Sequence, residues 1–124
     1  MAAKVEVSIS VSIDGLGKGT EIKDCFIDAV APEVAIHIES QTLEATNTPE
    51  ALNVGAVDTI RGILIRAITE DLGVDTDYVS TYHERLLIRA GTSSYFCPSG
   101  VVYVRNATDD VLPTWETVVF GTQT

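Results

Sequence analysis

At 124 residues the chain is expected to form one domain, 1–124, burying roughly two-thirds of its unfolded surface without a metal or disulfide staple. Hydrophobic residues make up 45% and charged residues 21%, an ordinary globular balance, and no apolar run approaches the roughly 20 residues that span a bilayer, so no membrane partner is expected. Eighteen acids against eight bases give a net charge of −10, and the five arginines stand singly; such a surface repels polyphosphate and argues against nucleic acid as a partner.

The chain opens on a strand pattern, with no charged-then-apolar leader expected. Val5, Val7, Ile9, Val11 and Ile13 alternate with Glu6, Ser8, Ser10, Ser12 and Asp14. A strand points successive side chains to opposite faces, so residues 4–13 have one apolar and one polar face. Every apolar residue in the run is β-branched, which suits a pleated surface. Few devices blunt this strand against pairing, so residues 1–13 are also a candidate edge strand or arm.

Gly15, Gly17 and Gly19 then mark a turn; no helix follows, so they do not form a phosphate loop. Residues 20–29, with Ile22, Cys25, Phe26 and Ile27, read as a bent strand. Val34, Ile36 and Ile38 alternate with Ala35, His37 and Glu39 in a strand over 34–43. Residues 44–50 read as a polar loop, and 51–57 and 62–68 as short apolar segments. Residues 69–77 read as an acidic loop. Further strands are expected at 78–82, 85–90, 93–97, 101–105 and 115–120, punctuated by Gly91, Pro98-Ser99-Gly100 and Asp109-Asp110. A helix over 56–72 is the competing pattern; Gly62 weakens it, and Ile63 to Ile65 suit a buried strand. About eight to ten short strands separated by turn residues predict an all-β antiparallel sandwich, with the jelly roll as one form of it.

Candidate chemistry is sparse. His37 and His83 lie 46 residues apart, neither with a ligand beside it at zinc spacing. Glu70, Asp71, Asp75 and Asp77 group four carboxylates, which raises calcium, but the EF-hand spacing is missing and a solvated loop is expected. No nucleophile elbow is present. Cys25 and Cys97 read as small buried or half-buried thiols in a reducing compartment, with nothing to place them together. No catalytic residue, cofactor or metal site is expected, and the protein is read as non-enzymatic.

The second half carries a resemblance. Ala51-Leu52-Asn53-Val54-Gly55-Ala56-Val57 precedes the Gly-started apolar run Gly62-Ile63-Leu64-Ile65-Arg66-Ala67. Leu87-Ile88-Arg89-Ala90-Gly91, the aromatic step Tyr95-Phe96, and Val102-Tyr103-Val104-Arg105-Asn106-Ala107 follow. Over roughly residues 50–121 this order resembles small β-sandwich structural proteins of tailed bacteriophage virions. It departs from them at Arg66-Ala67-Ile68-Thr69-Glu70 and in the acidic loop that follows. The resemblance implies a head decoration or auxiliary capsid protein, made in the host cytoplasm and located in the virion. Its implied partners are other virion proteins, the major capsid protein first, and further copies of itself as a homo-oligomer such as a trimer. A tail, neck or baseplate component is the alternative. A carbohydrate-binding module for host recognition, with Trp115 or Tyr82 lining a groove, is the alternative of another class.

Overall fold

The computed structural model describes residues 5–11, 22–30, 34–108 and 110–123, with side chains from Val34 onward. Among these residues the protein is all-β. By contact the chain divides into two units, Met1–Pro32 and Glu33–Thr124. In the first, β1 (Val5–Val11) and β2 (Ile22–Val30) pair antiparallel, with Val5 opposite Val30 and Val11 opposite Ile22. The ladder is interrupted between Val7 and Ser8 and again between Ile9 and Val11. The glycine turn at residues 15–19 lies outside the described residues.

The second unit is a β-sandwich of eight strands: β3 (Val34–Thr42), β4 (Glu50–Ala51), β5 (Thr59–Ala67), β6 (Leu72–Tyr78), β7 (Leu86–Ile88), β8 (Ser93–Phe96), β9 (Val101–Asn106) and β10 (Thr114–Thr122). The first of these strands pairs with the last, the second with the seventh, the third with the sixth and the fourth with the fifth. That nesting is a long antiparallel ribbon wrapped on itself. It yields two four-stranded sheets, β3-β10-β5-β8 and β4-β9-β6-β7. This strand order is the jelly roll.

The core lies between the sheets. Leu43, Leu52, Val57, Ile63, Ile65, Ala67, Leu72, Val74, Ile88, Val102, Val104, Trp115 and Val119 form its buried cluster. Alternation places them: Ile63, Ile65 and Ala67 face inward on β5, while Leu64 and Arg66 face out. On β10, Trp115, Thr117 and Val119 face inward. The one polar member of that row, Thr117, accepts a hydrogen bond from Gln41 Nε2 at 2.9 Å. Each fully buried aliphatic side chain contributes about 1.5–3 kcal/mol.

Two expectations are corrected here. Residues 69–77 are not a solvated acidic loop, because β6 runs from Leu72 to Tyr78. Leu72 and Val74 enter the core at alternate positions, and Asp71 before them and Asp75 after them are held by specific partners. The strand expected at 78–82 consequently keeps only Tyr78, the end of β6; residues 79–82 form the turn after it. The apolar segment 51–57 begins at the end of β4; the Leu52 N–H donates to the Val102 carbonyl at 2.9 Å, and Leu52 and Val57 reach the core from the connection that follows. The helical alternative over 56–72 loses to β5 and the start of β6.

The ladder directions sort the connections into two ends. The β4–β5, β6–β7 and β8–β9 connections share one end, and the β3–β4, β5–β6, β7–β8 and β9–β10 connections share the other.

Candidate functional site

The richest cluster of polar and aromatic side chains lies on the outer face of the β4-β9-β6-β7 sheet. Residues 79–85, between β6 and β7, fold back over this face as a strap. Gly73 makes the close approach feasible: a Cβ there would collide with the Glu84 carboxylate, and the Tyr82 hydroxyl lies 2.9 Å away. Beside it, Asp75 is 0% exposed although it sits on the outward side of β6. Its Oδ2 accepts from the His83 N–H at 2.8 Å, and its Oδ1 from the Asp77 N–H at 3.0 Å and Arg85 Nε at 2.9 Å. Burial alone would raise this carboxyl's pKa, but these donors and the Arg85 charge outweigh it and hold it below the usual aspartate range. Asp75 therefore clamps the strap to the sheet.

The strap also carries aromatic contacts. The Arg105 guanidinium of β9 lies over the Tyr82 ring, 4.5 Å from its centroid. The Tyr82 hydroxyl is buried, and both it and the Glu84 carboxylate crowd Gly73. Burial, reinforced by the Glu84 charge, pushes that phenol well above its ordinary range, and Arg105 opposes the shift. A register shift between Asp75 and Tyr78 turns Tyr78 toward Tyr103, and the two rings stack at 3.7 Å and 17°.

Next to this face, at the β8–β9 end, lies an open recess of about 430 Å³. Leu52, Val54, Ile60, Pro98, Val101 and Val102 supply its apolar lining, with Asp58 as the one acid among the lining residues. Val79, at the tip of the strap's first turn, is 73% exposed, and Val101 is 59% exposed.

The other sheet's outer face carries a charge bridge. Glu116 of β10 sits between His37 of β3, at 2.7 Å, and Arg66 of β5, at 3.1 Å. The hydrogen bond from His37 leads the effects that lower the Glu116 pKa. Across Gly62, where a Cβ would crowd both rings, Tyr95 and Phe120 lie parallel with centroids 6.4 Å apart.

The residues singled out from sequence do not converge. His37 is in the Glu116 bridge, and His83 contributes a backbone N–H on the opposite sheet. Of the four grouped acids, Asp71 accepts from the Ala90 N–H at 2.8 Å and faces Arg89, while Asp75 is committed to the strap. Among the described residues no three His, Cys, Asp or Glu side chains stand together as a metal site. Cys97 is an exposed free thiol, not a buried one, because it falls just beyond β8; the Cys25 side chain lies outside the described residues. Trp115 lines no surface groove: it is 4% exposed and faces the core, its indole nitrogen without a hydrogen bond. Arg105, Tyr78, Tyr103, Arg85 and Val79 were not singled out. The alternation of Val101, Tyr103 and Arg105 against Val102, Val104 and Asn106 marked them as outward, but nothing local announced the strap.

In comparisons with known proteins, no family model, no curated protein and no solved structure matches the chain. The functional reading rests on the molecule's own geometry. Its surface offers aromatic rings, an arginine, an apolar protrusion and an apolar recess, all features of recognition by contact.

Proposed function

We propose that the protein is a non-enzymatic structural component of a bacteriophage particle, acting as a head decoration protein on the major capsid protein. The observation that carries this reading is the eight-stranded jelly-roll wrapping, an architecture used by viral capsid domains, extended by a separate two-stranded unit. Fold does not assign function by itself. The virion-like residues at 50–121 supply the second support, since they span β4 to β10. A two-stranded hairpin is marginal on its own in water, so the β1–β2 unit suits a role completed by a neighbour. A decoration protein works by linkage, binding the assembled shell more tightly than its free subunits. The acidic surface fits the outside of a shell rather than its DNA-filled interior.

Jelly rolls also serve lectins. A sugar platform needs aromatic faces open to solvent, yet Trp115 is in the core and Tyr78 and Tyr103 each cover one face of the other. The contact-protein reading is therefore preferred. Mass spectrometry of purified particles, with heads separated from tails, tests it. Stoichiometric recovery with heads is expected. Recovery with tails alone transfers the protein to the tail, and absence from both fractions overturns the proposal.

A further inference from the structure

We draw no further inference here: the strongest candidate, the outer face of the β4-β9-β6-β7 sheet where Tyr78, Tyr103 and Arg105 lie beside the 79–85 strap, belongs to the site already described, and nothing in the structure shows what covers it.

Discussion

Asp75 is fully buried, and its carboxylate stays ionised because two backbone N–H groups and the Arg85 guanidinium converge on it. Removing one partner of such a cluster leaves the others desolvated and unsatisfied. Asp75→Ala should therefore lower stability by about 3 kcal/mol, and Asp75→Asn by less, since the amide oxygen still accepts from the backbone. Urea titration of the three proteins checks the order. The pH dependence follows from the depressed pKa. The folded value lies below the unfolded aspartate value of about 3.9, so the contribution is complete above that pH. It fades as pH falls through the folded value. The stability gap between wild type and Asp75→Asn should thus be flat near neutrality and shrink in that acid window. A gap that persists to the lowest pH would show that the charge is not what holds the strap. Asp75 was legible in the sequence only as one of four clustered acids, because its donors come from residues 77, 83 and 85 and a fold-back that no local pattern encodes.

At the scale of elements, β10 organises its sheet, pairing with β3 on one side and β5 on the other. Both ladders contain a register shift, one between Trp115 and Thr117 against β3 and one between Phe120 and Gly121 against β5. Gly121 is demanded at the second: a Cβ there would strike the Thr59 carbonyl oxygen, and the Val57 side chain stands 2.8 Å away. A backbone atom inside a ladder cannot move aside as a side-chain tip can. Gly121→Ala is expected to cost about 2 kcal/mol or more, read as a lowered melting temperature. A variant as stable as wild type would mean that the ladder end yields freely. Strands β3, β7, β8, β9 and β10 fall where alternation or the spacing of turn residues placed strands, and β5 contains most of the short apolar segment 62–68. β6 was not legible, since the strap covers its outward face and its acids imitate a solvated connection.

For the whole molecule, the two units have different claims to independence. Among the residues whose side chains are described, the buried core cluster lies within the second unit, and its eight strands close the jelly-roll wrapping without β1 or β2. A chain lacking residues 1–32 should retain cooperative thermal unfolding and a β-type circular dichroism spectrum. Under the decoration reading it should also bind particles more weakly, measured by co-sedimentation. Loss of the folded spectrum would mean that the hairpin unit is structural, and full particle binding would remove its role as an attachment device. The short edge strands β4, β7 and β8 limit unplanned pairing.

The sequence by itself determined the all-β class, the inward rows of most strands and the acidic surface, because alternation and net charge are local or additive properties of the chain. Tertiary structure decided the rest. The nested pairing of first strand with last is a long-range choice among many strand orders that alternation permits equally. The Asp75 clamp depends on residues 79–85 folding back over their own strand, and the Tyr82–Arg105 contact on that fold-back meeting a neighbouring strand of the sheet. The alternating run at 5–11 specified a strand, and its antiparallel partner at 22–30 was a matter for the fold.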